Sequence, residues 1–97
     1  MNNINKIKSY FGLAKRSKNI AIGVDEIVSK KCFFILMSEE LSENSKKKLK
    51  NFASCNQIKN LEISQSEISQ ITQNEFIKAF GILDKGLANA IQTNFNN

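Results

Sequence analysis

Over residues 3–15, Ile4, Ile7, Phe11 and Ala14 recur at helical spacing while Lys6, Lys8 and Lys15 fall on other faces. Positions three and four apart stack on one side of a helix, so the stretch predicts an amphipathic first helix with Phe11 in its core stripe. Residues 19–22 then alternate as a short extended piece, and Gly23 stands where that piece must turn into a second helix reaching about Lys31. A glycine there tolerates an unusual backbone angle and lets a partner approach where a Cβ would block it. Asp25 and Glu26 follow in the first turn, where acids ordinarily complement the helix dipole and cap free N–H groups.

The next apolar run, residues 32–37, is continuous and of strand length, as expected of a central strand covered on both faces. Ser42 is the natural N-cap of a third helix that turns Leu49, Phe52 and Ala53 inward. Its Lys46, Lys47, Lys48 and Lys50 read as a solvated face, or as charge that steers a polyanion. Asn56 and Gln57 turn the chain into a strand at residues 58–63, and Ser64 or Ser66 caps a short helix holding Ile68 and Ile71. Residues 73–75 form a loop, and 76–83 a strand in which Gly81 admits close packing. Asp84 precedes a last helix with Leu87, Ile91 and Phe95 in line, and Asn96 and Asn97 are expected to fray. The chain reads as complete.

Helices and strands therefore alternate as α, short β, α, β, α, β, α, β, α, with connections long enough to make much of the sheet parallel. The expected architecture is an α/β three-layer αβα sandwich. With 97 residues and 41% hydrophobic content there is one core and no internal boundary.

Charge adds direction. The net charge is +5, and the first half carries it: through Lys50 there are 11 basic and 5 acidic residues, against 3 and 4 in the remainder. The polyanion-facing surface is thus expected on the N-terminal half. Cys32 and Cys55 read as small apolar residues or spare thiols, with no disulfide, and the chain has no histidine. No metal site of the Cys/His kind, no Ser-His or Cys-His pair and no imidazole base can be assembled. The four glycines are too scattered for a phosphate loop or dinucleotide fingerprint. No catalytic residue, cofactor or metal is expected, and no apolar run approaches the roughly 18 residues that a membrane span needs.

Nucleic-acid binding is the reading these ingredients favour. The Gly23 turn would present backbone N–H groups and short polar side chains, and Lys15, Arg16 and Lys18 are expected to reach the same place through the preceding connection. Cations at the end of a helix are also ordinary C-terminal residues, since the carbonyls there are unpaired. In the binding reading they hold phosphates, while Asp25 and Glu26 accept from base N–H groups, the one setting in which a carboxylate is favourable beside RNA.

Gly12-Leu13-Ala14-Lys15-Arg16, Ile20 and Gly23, the apolar strand, residues 42–49, and Asp84-Lys85-Gly86-Leu87-Ala88 with Ala90-Ile91 occur in an order and spacing that resembles a known family. It is the bacterial YlxQ-like branch of the kink-turn-binding ribosomal protein superfamily, and the likeness spans nearly the whole chain. The resemblance implies a mixed four-stranded sheet between helices and binding to the tandem sheared G·A pairs of a kinked RNA. It assigns RNA contact to Gly23, Val24, Asp25 and Glu26. Asp25 stands at an asparagine position and lacks the amide's donor. Ser29 stands at a lysine position, leaving Lys30 or Lys31 as substitutes. The second helix is about one turn shorter than the family's. An apolar loop before the last strand covers an extruded base in that family and maps near residues 72–76, where Phe76 either stacks on a base or belongs to the core.

The resulting expectation is a cytoplasmic, ribosome-associated, monomeric RNA-binding protein without catalysis. The alternatives are a protein-interaction module that keeps the fold without RNA readout, and an accessory domain of an RNA-modifying enzyme.

Overall fold

The computed structural model describes residues 3–95, which leaves the ends expected to fray, Asn96 and Asn97, outside the described residues. In chain order the elements are α1 (Ile4–Arg16), β1 (Ile20–Ile22), α2 (Val24–Val28), β2 (Phe34–Ser38), α3 (Glu43–Cys55), β3 (Lys59–Ile63), α4 (Gln65–Thr72), β4 (Ala79–Ile82) and α5 (Lys85–Thr93). Polar side chains set four of the helix starts. Asn3, Ser42, Ser64 and Asp84 each accept the N–H three residues on, from Lys6, Ser45, Glu67 and Leu87. Each satisfies a donor that the helix itself leaves unpaired.

The four strands form one mixed sheet in the order β1-β4-β2-β3. Only β2 and β3 are parallel, with Phe34 opposite Lys59 and Ser38 opposite Ile63, whereas β4 runs antiparallel to both β1 and β2. The expectation that much of the sheet is parallel is thereby corrected. The segment from β3 to β4 is long enough for a crossover, but α4 carries the chain away from the end of β3 and residues 73–78 bring it back to that same end. Strand β4 then inserts between β1 and β2.

Alternation along β2 sorts the core into two layers. Phe34 and Leu36 face α1, α4 and α5 with Ile7, Phe11, Ile68, Phe80 and Ile91. Ile35 and Met37 face α2 and α3 with Ala21, Ile27, Leu49 and Ala53. The ring of Phe11 meets that of Phe80 edge-on at 4.9 Å, a geometry worth about 0.5–1.5 kcal/mol beyond the area buried.

Two predicted boundaries move for local reasons. Helix α2 stops at Val28 instead of continuing to Lys31, because the Ser29 hydroxyl donates to the Glu26 carbonyl at 2.8 Å and the following N–H groups bond three residues back. Such local bonds compete with helix continuation. Strand β4 begins at Ala79 instead of residue 76, because the Asn74 side chain accepts the Phe76 N–H at 2.8 Å and holds the chain in a turn.

At Gly81 the sheet meets Cys32 closely: a Cβ there would lie 2.7 Å from the Cys32 sulfur. Cys32 is buried and its thiol is pushed up to about 11, chiefly by desolvation. It packs as a small apolar residue, while Cys55 is an exposed free thiol. Gly81→Ala is expected to destabilise the fold by about 1–3 kcal/mol through overpacking, and Cys32→Ala in the same chain should recover part of that loss. Urea unfolding of the two single variants and the double variant measures the coupling; additive losses would show that the two positions do not compete for space.

Candidate nucleic-acid interface

The sheet has two ends. At one of them lie the last residues of β1, β2 and β3 together with the start of β4. The Gly23 N–H donates to the Ala79 carbonyl at 3.0 Å, and the Ser38 N–H donates to the Lys78 carbonyl at 2.8 Å. The Gly23 turn and the 73–78 loop are therefore neighbours along one edge.

Gly23 has φ +92° and ψ 157°, a region that side chains other than hydrogen enter only at a cost of order 1–3 kcal/mol. Nothing lies within 4 Å of where a Cβ would project, so the space beyond the turn is open. Ile22 is partly exposed beside it, and Val24 is tucked against the α2–α3 layer. Asp25 and Glu26 point outward and each meets a lysine: Lys48 lies 3.4 Å from Asp25, and Lys30 lies 3.5 Å from Glu26. No side chain caps α2, so lysine pairing, and not the capping expected of acids in a first turn, describes both carboxylates.

Phe76 stands 83% exposed in the neighbouring loop. That removes the core alternative for this residue and leaves a free aromatic face. The loop is held by Gln65, whose amide nitrogen lies 3.0 Å from the Ile77 carbonyl, 3.3 Å from the Glu75 carbonyl and 3.2 Å from the Ser69 hydroxyl. The two carbonyls can only accept, and they fix which way the amide points. The residues on both sides of Phe76 are thereby tied to α4 while its ring projects free. Nothing in the sequence marked Gln65 for this role, since a glutamine just after a serine cap reads as an ordinary first-turn residue.

The other predicted cations lie elsewhere. The Leu83 N–H donates to the Asn19 carbonyl at 2.9 Å, which places Asn19 at the opposite end of β1, about 13 Å of extended chain from Gly23, with Lys18 one residue beyond it. Lys15 and Arg16 form the last turn of α1 on the same side. Lys30 follows α2 and touches the corner only through Glu26. The expected meeting of Lys15, Arg16 and Lys18 with the Gly23 turn is thus corrected: a three-residue strand separates them. The cations at the Gly23 edge are Lys48 and Lys78, the latter 3.6 Å from Glu40.

The lysines of α3 are more engaged than a solvated face implies. Lys46 and Lys50 each reach Glu62 of β3 at 3.2 Å, and together they hold its carboxyl below the usual range. Lys47 is exposed. Among the described residues no group of three or more Cys, Asp or Glu side chains is placed to hold a metal ion, and no helix is long and apolar enough to cross a membrane.

Neither the known protein families nor the curated proteins include a match to this sequence. Among solved structures, the chain is similar to one described as a protein with unknown function from Bacillus halodurans C, with a TM-score of 0.82 and 18% identity over 95% of this chain and 98% of that one. The likeness shows the fold alone.

Gln65→Ala is expected to free the 73–78 loop. Amide hydrogen exchange at Phe76 and Ile77 should quicken while β2 remains protected, with a stability loss of about 1 kcal/mol. Unchanged exchange at both amides would mean that the turn around Asn74 holds the loop without Gln65.

Proposed function

We propose that this chain binds a structured, kink-turn-like RNA along the Gly23 edge and does so without catalysis, as a cytoplasmic, ribosome-associated protein. The observation that carries the reading is the pairing on one edge of a glycine turn opening onto free space with an aromatic ring that is 83% exposed. A flat ring held out by a braced loop offers a stacking surface for an unpaired base. The open turn beside it admits a sugar-phosphate backbone or a base edge closely.

Glu26 and Asp25 supply acceptors for guanine N1–H, N2–H or an exocyclic amine. Their lysine partners offset the repulsion that phosphates would otherwise impose. Lys48 and Lys78 are the nearest cations, and Lys15, Arg16 and Lys18 add longer-range attraction from the far end of β1. The family resemblance supports the same edge, with Asp25 and Ser29 as its departures.

A binding titration should find an RNA with intact sheared G·A pairs bound more tightly than the same RNA with Watson–Crick replacements; equal affinities would overturn the kink-turn reading. Phe76→Ala is expected to cost about tenfold in affinity for that RNA. Glu26→Ala should erode the discrimination between the two RNAs. Lys15→Ala or Lys18→Ala should instead weaken binding to all RNAs and reduce the salt slope by about 0.9 for each phosphate no longer neutralised.

A further inference from the structure

At the opposite end of the sheet two clefts adjoin. One, of about 540 Å³, lies between the segment that links α2 to β2 and the turn after α3. The other, of about 400 Å³, lies between the start of β3 and α5. Phe33 and Gln57 line both, so the two form one groove with the Phe33 ring, 39% exposed, in the wall that they share. An aromatic ring at this position follows from the start of β2: Phe33 donates its N–H to the Ile82 carbonyl at 2.8 Å, and the chain enters the sheet only at Phe34.

The groove is cationic throughout. Lys30 and Lys31 line the first cleft, and Lys59 and Lys85 line the second, with no aspartate or glutamate in either lining. The nearest acids are engaged: Glu26 meets Lys30, and Asp84 accepts the Leu87 N–H at 2.9 Å as the cap of α5. Lys85 opens α5, where the helix dipole disfavours a cation, so its charge does not serve the helix. Between the lysines stand amide side chains, Asn56 and Gln57 on one side and Asn89 and Gln92 on the other. An amide both donates and accepts.

We propose that this groove is a second RNA site, one that takes a single-stranded segment, with an unpaired base stacked on Phe33 and the flanking phosphates on Lys31, Lys59 and Lys85. The occupant follows from the combination. Lysines without facing acids select a polyanion, an exposed ring stacks on bases of any sequence, and mixed donor and acceptor amides suit base edges. An acidic peptide would use only the donors, and a lipid surface would need a broader apolar patch than one ring. The site is independent of the Gly23 edge, because the strands of the sheet separate the two.

The test uses the full chain with a short oligoadenylate and, for comparison, an abasic ribose-phosphate oligomer of equal length and anionic lipid vesicles. The oligoadenylate should bind more tightly than the abasic oligomer, and Phe33→Leu, which keeps an apolar side chain but no ring, should lower its affinity about tenfold. Replacing Lys31, Lys59 and Lys85 by Gln should weaken both oligomers and flatten the salt slope by about 0.7 for each phosphate left without its cation. The chain has no tryptophan, so Phe33→Trp provides a single fluorescent reporter that oligoadenylate should quench. Equal binding of the two oligomers, an unaffected Phe33→Leu variant, or binding to vesicles in place of oligoadenylate would overturn the proposal. Dependence on Phe33 distinguishes this groove from the Gly23 edge, where Phe76 also offers a ring to a base. A failed kink-turn titration beside Phe33-dependent oligoadenylate binding would therefore remove only the Gly23-edge reading.

Discussion

Strand β2 is buried along its whole length, on both faces and on both edges, and the rest of the structure is arranged around that constraint. Covering both faces of Phe34, Ile35, Leu36 and Met37 requires helices above and below. Each large apolar side chain removed from water contributes about 1.5–3 kcal/mol, so neither layer is dispensable. Pairing both edges requires β3 on one side and β4 on the other. Ser38, the polar residue that ends the strand, is also buried; it uses its N–H for the Lys78 carbonyl and its hydroxyl for the Glu40 N–H. That end of β2 thus fixes both the loop that follows it and the loop that delivers β4.

Because β4 is antiparallel to its neighbours, the two ends of the sheet acquire different character. Every connection at the Gly23 edge is short or braced: a glycine turn, the Ser38 turn, the Ser64 cap and the Gln65-held loop. The opposite end is where α1 hands over to β1, where α2 stops early and where α3 turns back. Those connections carry Lys18, Lys30 and Lys31, and β3 opens there with Lys59. Charge and shape are therefore separated, with the rigid edge nearly neutral in its ion pairs and the groove at the far end cationic.

Periodicity revealed what depends on local sequence. The stripe Ile7, Phe11 and Ala14, the cap Ser42 and the apolar run of β2 follow from side chains a few residues apart, and all are present; Gly81 marked a close approach without naming Cys32 as its neighbour. Strand direction was not legible in the same way, since connection length limits whether a chain can cross the sheet without deciding whether it does. Phe76 was ambiguous for a related reason: an aromatic ahead of an apolar segment looks like a strand residue until the Asn74 turn delays the strand by three positions. Lys15, Arg16 and Lys18 lie close to Gly23 in sequence, but a strand extends about 3.3 Å per residue, and nearness along an extended chain is distance in space. Gln65 and the pairing of Glu62 with Lys46 and Lys50 depend on contacts between elements that no local pattern encodes.

The separation of cations from the Gly23 edge bears on how that edge would recognise RNA. Phosphate contacts supply affinity without sequence information, whereas base contacts and stacking supply discrimination. Under the proposed function, an edge whose carboxylates are paired with lysines contributes little net attraction, so its affinity for RNA would come from stacking on Phe76 and from close fit at the open Gly23 turn. Neither contribution is strongly screened by salt, unlike longer-range attraction from Lys15, Arg16 and Lys18 at the far end of β1. Under the proposed function such an edge would choose among RNAs drawn in by the lysine-rich far end, with Asp25 balanced by Lys48 instead of being repelled by the phosphate backbone. Lys30 lies four residues on from Glu26 and reaches it although α2 has ended at Val28, so the carboxylate has a cationic partner even though Ser29 occupies the position nearer the corner.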